Sequence, residues 1–316
     1  MISSLKLAAL CGVSQGTVDR AVHNRVGVSE KTKKHILDQA AIYGYIPNPA
    51  AHELLTGKTE MVVALIPSFQ SPFFMDMMDA IKKRLENDGL RLVISIVNDT
   101  KELIYLLKDF AARRYRAAII IPSAEGVAIP KQVEKMNIIS LLTPCCGGRS
   151  CFISPDETRV GEIATKYLIA KGHKNIVHLT YTRQTPAIIQ RAKGYEGYMN
   201  NNNLSAIVEC DIKEDRILSL VKKNGTTAFF CHNDWMALSI IRMLEKSGLV
   251  VPNDVSVIGV DNSPSFTALY QEITTVAYPI EWLAGEVAAA VQNTQYAINV
   301  FNDFEVVERK SVRELA

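Results

Sequence analysis

Hydrophobic residues near the start of the chain recur at the spacing of short amphipathic helices. The pattern predicts one helix that ends at a turn at Gly12 and a second that begins after Ser14, whose hydroxyl can accept from the free N–H groups of the first turn. The predicted inward positions are Leu7, Ala8 and Leu10 in the first helix and Val18, Ala21 and Val22 in the second. The polar side chains between them should therefore face outward.

A third helix is predicted to begin after Ser29, with Glu30 near its positive N-terminus. Gly44 fits the position that ends such a helix, and Pro47 prevents its continuation. Its apolar stripe is expected to consist of Ile36, Leu37, Ala40 and Ala41. Residues 1–46 are therefore interpreted as a small all-helical domain.

A short helix is predicted in the segment that follows, residues 47–60. Asn48 can cap it, Pro49 suits its first position and Gly57 ends it. Because isolated helices shorter than ~12–15 residues are marginal in water, we expect this one to fold when it docks on another surface. An ordinary interdomain linker is the alternative.

From Met61 onwards the pattern changes to strands that alternate with helices. The expected strands are residues 61–66, 90–97, 117–121, 138–142, 152–153, 176–180, 206–209, 227–231, 255–260, 274–276 and 304–307. The expected helices are residues 73–87, 101–115, 158–170, 187–202, 212–223, 233–247 and 280–293. Continuous Val and Ile runs between helices indicate parallel sheets that are covered on both faces. Two blocks, about 61–155 and 156–285, predict two doubly wound α/β lobes with a ligand cleft at the carboxyl ends of their strands.

The net charge of +2 is concentrated near the N-terminus of the 316-residue chain. Residues 1–60 hold seven Lys or Arg against five Asp or Glu, whereas residues 61–316 hold 28 of each. A small excess of this kind is compatible with a nucleic-acid-binding domain but does not establish one.

The six cysteines include no Cys-x-x-Cys motif, which favours reduced thiols over a metal site or a disulfide framework. Cys231 lies in an apolar run and is expected to be buried, while Cys145, Cys146 and Cys151 leave a redox role open. No apolar run reaches 18 residues, so we expect no membrane span. Lys6 interrupts the N-terminal stretch that could resemble an export signal, which indicates a cytoplasmic protein.

Specific motifs follow one another along nearly the whole chain. They are Gly12-Val-Ser-x-x-Thr-Val-x-Arg20, Tyr43-Gly-Tyr-x-Pro-Asn48, Leu54-x-Thr-Gly57, Ser71-Pro-Phe-Phe74, Arg191-x-x-Gly-Tyr195, Asn233-Asp-x-Met-Ala237, Asp254-Val-Ser-Val-Ile-Gly-Val-Asp261 and Thr274-Thr-Val276. This ordered set resembles the LacI/GalR (lactose-repressor) family of bacterial transcriptional regulators.

The resemblance implies an all-α helix-turn-helix headpiece with a hinge helix, followed by a two-lobed, periplasmic-binding-protein-like α/β sensor. The implied domains are residues 1–46, the hinge at 47–60 and the sensor at 61–316. The sensor would divide into an N-lobe of about 61–155 plus 277–300 and a C-lobe of about 156–276 plus 301–316. The family also implies a homodimer that binds a pseudo-palindromic operator in double-stranded DNA.

The resemblance assigns DNA contacts to the second helix and to the hinge. The residues expected to bind DNA are Ser14, Gln15, Gly16, Thr17, Arg20, His23 and Leu54. Since Gly16 has no side chain, base reading falls on Gln15, which can pair with adenine N6 and N7. Leu54 matches a leucine that wedges into the minor groove. Asp19 departs from the usual serine, so it either contacts a cytosine amine or packs away from DNA.

A carboxylate, an amide and a guanidinium are expected to meet in the cleft. Asp261 follows an apolar strand, Asn233 begins a helix just after another strand, and Arg191 can donate two hydrogen bonds to vicinal hydroxyls. The resemblance assigns ligand contacts to all three, and together they suit a polyhydroxyl effector. Weaker candidates are Phe73, Asp99, Ser123 and Tyr278. In the alternative interpretation Asp261 caps the next turn and Arg191 is a surface residue.

The leading interpretation is a transcription regulator, most simply a repressor, whose partners are operator DNA, a carbohydrate effector and a second copy of the chain. No cofactor, metal or membrane partner is expected. A transport-type sugar-binding protein without a DNA role is the alternative, because the two-lobed sensor alone would allow it. An enzyme is a third interpretation, disfavoured by the lack of a Gly-rich phosphate loop, Cys/His metal spacing and a Gly-x-Ser-x-Gly elbow.

Overall fold

The computed structural model describes residues 2–46, 59–67, 71–148, 150–182, 185–210, 212–293, 299–301 and 303–315. The chain divides into two units, one up to Thr59 and one from Glu60. The helix predicted within residues 47–60, including Leu54, lies outside the described residues apart from Thr59 and Glu60.

Three helices form the first unit: α1 (Ser4–Cys11), α2 (Gln15–Val22) and α3 (Glu30–Ile42). The predicted caps are confirmed, because Ser14 Oγ accepts from Thr17 N at 3.2 Å and Ser29 Oγ accepts from Thr32 N at 3.2 Å. Gly12 adopts φ +64°, a left-handed conformation that glycine tolerates best, and so makes the turn between α1 and α2.

The core of the first unit is narrower than the sequence pattern predicts. Its buried residues are Leu7, Ala8, Val18, Ala21, Ile36 and Ala40. Leu10 and Leu37 were predicted to face inward, but their exposed fractions are 44% and 41%, and Ala41 is also exposed. Each short helix buries only the stripe that contacts its two neighbours, and positions about 100° away from that stripe face solvent.

Six parallel strands form the sheet of the first lobe of the second unit. They are β1 (Met61–Ile66), β2 (Arg91–Ile96), β3 (Ala117–Ile120), β5 (Asn137–Leu141), β7 (Ser150–Pro155) and β13 (Asn299–Phe301), in the spatial order β13-β7-β5-β3-β1-β2. The helices of this lobe are α4 (Pro72–Asn87), α5 (Thr100–Ala112) and α11 (Ile280–Gln292). Successive residues of β1 pack alternately toward α4 and toward α5, so both faces of the sheet are covered.

The second lobe repeats this architecture with six strands. They are β8 (Ile176–Leu179), β9 (Ile207–Glu209), β10 (Ala228–Cys231), β11 (Ser256–Asp261), β12 (Thr274–Ala277) and β14 (Val306–Val307), in the order β14-β12-β11-β10-β8-β9. Only the pairing of β12 with β14 is antiparallel among these. The helices are α6 (Glu157–Ala170), α7 (Pro186–Asn201), α8 (Glu214–Lys222), α9 (Asp234–Lys246) and α10 (Pro264–Thr267).

The fold class predicted from the sequence is confirmed for the described residues, with local differences. The pattern missed β13, the short helix α10, a 3-10 turn at Lys131–Val133 and the two-residue pairing of β4 (Val127–Ala128) with β6 (Cys145–Cys146). The strand predicted at residues 304–307 is reduced to β14. Elements of two to four residues carry too little periodicity to be recognised. No helix among the described residues is long and apolar enough to cross a membrane.

The chain passes between the two lobes at three places in its described part. It leaves the first lobe after Pro155, returns after Ala277 and leaves again after Phe301. Glu157 and Tyr278 lie within or beside two of these crossings. Residues at the crossings are therefore placed to contact both lobes.

Candidate functional site

A cavity of about 260 Å³ lies between the two lobes, near the carboxyl ends of their strands. Its volume is near the lower end of small-molecule pockets. Six of the residues proposed from sequence line it: Phe73, Ser123, Arg191, Asn233, Asp261 and Tyr278. The structure therefore brings candidates from distant parts of the chain to one cleft.

Asp99 is placed elsewhere. Its carboxylate accepts from Glu102 N at 2.8 Å and caps α5, and it is not among the residues that line the cavity. It follows β2, which is an edge strand of its sheet. The end of an edge strand lies far from the centre of the sheet, which explains why this carboxylate stays outside the cleft.

Arg191 is held by a buried carboxylate that the sequence analysis did not identify. Glu157 Oε2 accepts from Arg191 Nε at 2.9 Å and from Nη2 at 2.5 Å. The exposed fractions of Arg191 and Glu157 are 4% and 2%, so the surface alternative for Arg191 is wrong. Tyr278 donates its hydroxyl to Glu157 Oε1 at 2.8 Å, and Arg191 Nη1 donates to His232 O. The Glu157 carboxylate thus holds both the Arg191 guanidinium, which lines the cleft, and Tyr278, which lies at a crossing between the lobes.

Two glycines allow α6 and α7 to approach closely enough for this ion pair. A Cβ added to Gly161 would lie 2.1 Å from Arg191 O, and one added to Gly194 would lie 2.0 Å from Thr158 O. No side chain fits at these distances. The close crossing places the Arg191 backbone directly beside α6, which begins with Glu157.

Asn233 begins α9 and uses its side-chain oxygen within the protein. Asn233 Oδ1 accepts from Met236 N at 2.9 Å and from the Tyr181 hydroxyl at 3.2 Å. A ligand would therefore meet the amide NH₂ of this residue, which is a hydrogen-bond donor.

Asp261 ends β11 with φ +128°, a backbone conformation that L-residues rarely adopt. The N-cap position of the following short helix is Ser263 rather than Asp261, so the capping alternative does not describe Asp261. Burial raises the pKa of Asp261 well above its usual value, and the nearby Asp234 carboxylate raises it further, while Arg191 acts in the opposite direction. Asp261 therefore readily holds a proton and can act as a donor or an acceptor.

Asp234 is a second buried carboxylate behind the cleft. Its Oδ2 accepts from Asn262 N at 2.8 Å, and a Cβ added to Gly259 would lie 2.1 Å from its Oδ1. Burial raises its pKa to about 7, against the lowering effects of hydrogen bonds from Thr275 and Asn262 and of the charge on Arg309.

The raised pKa values of Asp234 and Asp261 predict that the stability of the folded protein falls as the pH rises, and Asp261→Asn should reduce this fall. A folded state that raises the pKa of an acid is stabilised below the ordinary pKa of that acid, and the contribution is lost as the pH rises through the folded value. For Asp234 the window runs from 3.8 to about 7, and for Asp261 it starts at 3.8 and extends upward. We expect the melting temperature of Asp261→Asn, relative to that of the wild type, to increase as the pH rises from about 4 upward.

Melting curves of both proteins across this pH range test the expectation. Burial lowers the pKa of His178 to about 3 and the pKa of His232 well below 6.5. These histidines favour the folded state at higher pH, but they are common to both proteins, so the difference isolates the carboxyl groups. A constant difference would contradict the assignment of a raised pKa to Asp261.

Aromatic rings form the remaining walls of the cleft. The Phe73 and Tyr278 rings meet edge to face with centroids 5.0 Å apart, and Tyr181 meets His232 in the same way at 5.4 Å. Within the described residues, His232 Nδ1 is buried without a hydrogen-bond partner. A ligand hydroxyl could supply one.

Asp76 connects the two lobes near this cavity. This residue of α4 accepts from Ser265 N at 2.9 Å and from the hydroxyls of Ser263 and Ser265, at the start of α10. The contact therefore joins the first helix of one lobe to a helix N-terminus of the other, where a carboxylate is favoured.

Six of the seven residues proposed to bind DNA lie in or directly beside α2, and the seventh, Leu54, lies outside the described residues. Ser14 is its cap, Gly16 is exposed in its first turn, and Gln15 Nε2 donates to Ser4 Oγ at 2.8 Å. Thr17 Oγ1 lies 2.9 Å from Ser14 Oγ. The hydrogen bond from Gln15 to Ser4 must break before both the oxygen and the NH₂ of the Gln15 side chain can bind a base.

The C-terminal half of α2 carries the charged part of this surface. Arg20 Nη2 donates to Thr17 Oγ1 at 3.3 Å, and His23 Nδ1 lies 3.0 Å from Asp19 O. Asp19 pairs with Arg25 at 3.1 Å. This ion pair engages the Asp19 carboxylate within the protein, as expected if it does not contact DNA.

Comparisons with known proteins agree with this architecture. A family model described as "Periplasmic binding protein-like domain" matches residues 165–312. The HTH-type transcriptional repressor PurR of Aliivibrio fischeri (strain MJ11) is 28% identical over 287 residues, covering 84% of this chain and 85% of that protein. The HTH-type transcriptional regulator GalR of Escherichia coli (strain K12) is 29% identical over 325 residues, covering 97% of this chain and 94% of that protein.

Solved structures show the same fold at low identity. The Lac repressor dimer bound to operator and the anti-inducer ONPF is 22% identical, with a TM-score of 0.78 and coverage of 99% of both chains. A complex of the transcriptional regulator CelR with cellobiose is 21% identical, with a TM-score of 0.68 and coverage of 98% of this chain and 100% of that one.

The fold and the site define a two-lobed ligand sensor that shares its chain with a helix-turn-helix unit. The ordered motifs, the family-model match and the relatives over most of the chain support a LacI/GalR family transcriptional regulator.

Proposed function

We propose that this chain is a sequence-specific DNA-binding transcriptional regulator, a repressor, whose operator affinity is controlled by a small polyhydroxyl effector. The observation that carries the proposal is the combination of an exposed polar α2 in the first unit with a cleft that presents Arg191, Asn233 and Asp261 in the second. DNA is the expected partner of the first surface, and a sugar is the expected partner of the second.

Relatives of this chain support both halves of the proposal. PurR and GalR carry the names of a transcriptional repressor and a transcriptional regulator, and CelR was solved with cellobiose. The Lac repressor was solved as a dimer on operator DNA. We therefore propose a homodimer that binds a pseudo-palindromic operator and acts in the cytoplasm, where its DNA partner is found.

The chemistry of the cleft supports a sugar as the effector. Its guanidinium and amide donors, its carboxyl group and its aromatic walls suit a ring that carries hydroxyls on its edge and C–H groups on its faces. A cavity of about 260 Å³ suits a ligand of monosaccharide size better than a larger one.

Control of DNA binding requires that operator and effector favour different arrangements of one dimer. A coupling free energy of ~1–3 kcal/mol would change operator affinity by ~5–150-fold, and operator would change effector affinity by the same factor. Two contacts could link the arrangement of the lobes to the occupancy of the cleft. One is the hydrogen bond between Glu157 and Tyr278 at the crossings, and the other is the contact of Asp76 with Ser263 and Ser265.

A transport-type binding protein would share the cleft but would have no use for the first unit. An enzyme would also need a reacting centre. The described residues contain no group of three or more His, Cys, Asp or Glu that could hold a metal ion, and the named relatives are regulators rather than enzymes. The regulator proposal accounts for both units of the chain.

The DNA-binding half predicts selective, salt-dependent binding by the full chain. Selection from random double-stranded DNA should recover a pseudo-palindromic site, and fluorescence anisotropy should then show affinity falling steeply with salt. A protein that makes ~6–10 phosphate contacts loses about 10³–10⁵ in affinity between ~50 and ~200 mM salt. Weak binding without sequence preference would contradict the proposal.

Substitution of Gln15 separates base reading from phosphate binding. Gln15→Ala should cost about 1–3 kcal/mol of discrimination at one base pair in each half-site and leave the salt dependence nearly unchanged. Lys174→Ala, which removes an exposed charge from the second unit, is the control and should change neither quantity. An equal loss on all DNA sequences would assign Gln15 to the backbone instead.

A further inference from the structure

Among the described residues that line the cleft, the positive charge of Arg191 is already matched by a buried carboxylate. The acidic and strongly basic residues of this lining are Arg191, Glu157 and Asp261. Glu157 accepts from two of the five guanidinium N–H groups, at 2.9 and 2.5 Å, and His232 O accepts from a third. Two N–H groups therefore remain for a ligand, on a cation whose charge is balanced.

The other titratable groups of this lining add no positive charge. Burial, and then the charge on Arg191, lowers the pKa of His232 well below its usual value, so its imidazole is neutral near pH 7. Burial raises the pKa of Tyr181 and of Tyr278, so both phenols are also neutral. The cavity thus presents neutral donors and acceptors around one ion pair and a second carboxyl group.

A negatively charged ligand would be disfavoured in this arrangement. A phosphate or carboxylate is held best by a guanidinium that offers two parallel N–H groups and an unbalanced charge. Glu157 occupies one such pair of donors, and its negative charge would repel an added anion in a buried, weakly screened site. A hydroxyl can use the remaining donors without this repulsion.

We propose that Glu157 is a specificity-determining residue that restricts the cleft to uncharged polyhydroxyl ligands and excludes phosphorylated or acidic ones. The proposal rests on the effector function proposed above and names the class of ligand. It also gives the pair a role beyond stability, since a buried ion pair is by itself weak evidence for a stabilising function.

Two substitutions of Glu157 separate its charge from its packing. Glu157→Gln keeps an oxygen acceptor toward Arg191 and a polar group beside the Tyr278 hydroxyl, but removes the negative charge. Glu157→Asp keeps the charge and shortens the side chain. A purely structural role would be disturbed at least as much by aspartate as by glutamine, whereas charge exclusion would be lost only with glutamine.

The experiment measures anion binding by the full chain with calorimetry and thermal shift at constant ionic strength. The probes are inorganic phosphate, ribose 5-phosphate and glucose 6-phosphate, each phosphorylated sugar beside its unphosphorylated form. We expect no saturable binding of the phosphate probes to the wild type or to Glu157→Asp. Glu157→Gln should bind inorganic phosphate at least about tenfold more tightly than the wild type, and Glu157→Gln/Arg191→Met should lose this gain.

Two results would overturn the proposal. One is saturable binding of a phosphorylated probe in the wild-type cleft, recognised by its loss in Arg191→Met. The other is a folded Glu157→Gln that gains no affinity for phosphate. Glu272→Gln, which removes an exposed carboxylate paired with Lys310, controls for the change in net charge and should behave as the wild type.

The measurements on the wild-type protein test the proposal even if Glu157→Gln does not fold, because they compare each sugar with its phosphorylated form on the unmodified protein. Operator selection with the same preparation is independent of these probes. A protein that selects an operator and also binds a phosphorylated sugar in its cleft would reject the charge exclusion alone. A protein that selects no DNA would reject the regulator function, whatever the probes show.

Discussion

Arg191→Met is expected to lower the free energy of unfolding by about 3–5 kcal/mol, because removal of one partner of a buried ion pair leaves the other uncompensated. Glu157 would remain 2% exposed with neither of its guanidinium hydrogen bonds. Either an unpaired charge or an added proton in that position costs free energy. Urea unfolding monitored by circular dichroism gives the quantity directly.

A surface ion pair of α6, the helix that carries Glu157, provides the control for Arg191→Met. Arg159 contacts Glu162 at 2.9 Å, but their side chains are 45% and 37% exposed. Arg159→Met should therefore cost less than about 1 kcal/mol. The double variant Glu157→Gln/Arg191→Met should recover part of the loss, since both charges are then absent. A small effect of Arg191→Met alone would mean that the buried carboxylate finds another partner.

Gly194→Ala is expected to lower the free energy of unfolding by about 3 kcal/mol, at the upper end of overpacking effects. The new Cβ would lie 2.0 Å from Thr158 O and 2.9 Å from Thr158 C, which are backbone atoms and cannot rotate away. Relief therefore requires α6 and α7 to separate. Their separation would also disturb the pair of Arg191 with Glu157, so ligand affinity should fall together with stability.

Gly197→Ala is the matched control on the same helix. A Cβ at Gly197 would meet no atom within 4 Å. Alanine there should stabilise the protein by about 0.5–1 kcal/mol, because glycine is the weaker helix former. Thermal and urea unfolding of the two variants should therefore give changes of opposite sign. Changes of the same sign would show that helix propensity or chain flexibility, rather than the close crossing, dominates at Gly194.

Local signals in the sequence were sufficient for the elements and for much of the cleft. The caps at Ser14 and Ser29 depend on contacts within one turn, and the parallel sheets follow from apolar runs between helices. The burial of Cys231 follows from the same kind of run. Arg191, Asn233 and Asp261 were proposed from their motifs together with their positions at helix starts and strand ends, and all three line the cavity.

Asp99 and Asn233 show where local signals stop being informative. Both residues follow a strand, cap the next helix and have nearly the same backbone, with φ and ψ of −151° and 174° for Asp99 and −150° and 173° for Asn233. Asn233 lines the cleft because it follows the inner strand β10, whereas Asp99 follows the edge strand β2. Strand order is a property of the whole chain, so the residues that flank Asp99 and Asn233 in sequence could not show which of the two lines the cleft.

Glu157 and Asp76 were missed for a related reason. Glu157 follows Asp156, the cap of α6 after β7, and the argument that selected Asp261 at a strand end could have selected it. Asp76 carries no such signal, since a single acidic residue on an amphipathic helix usually faces solvent. Its partners Ser263 and Ser265 are almost 190 residues away, and only the folded structure brings them together.

The order of strands along the chain has a consequence for how the protein is made. The strand β13 at the edge of the first sheet and β14 at the edge of the second both come from residues 299–307, late in the chain. Neither sheet can therefore reach the arrangement described above while its N-terminal part alone has left the ribosome. Contacts of such long sequence separation form slowly and leave strand edges exposed meanwhile. A premature stop or frameshift shortly before residue 299 would damage both lobes at once, and the nascent sensor should depend on chaperones until those residues emerge.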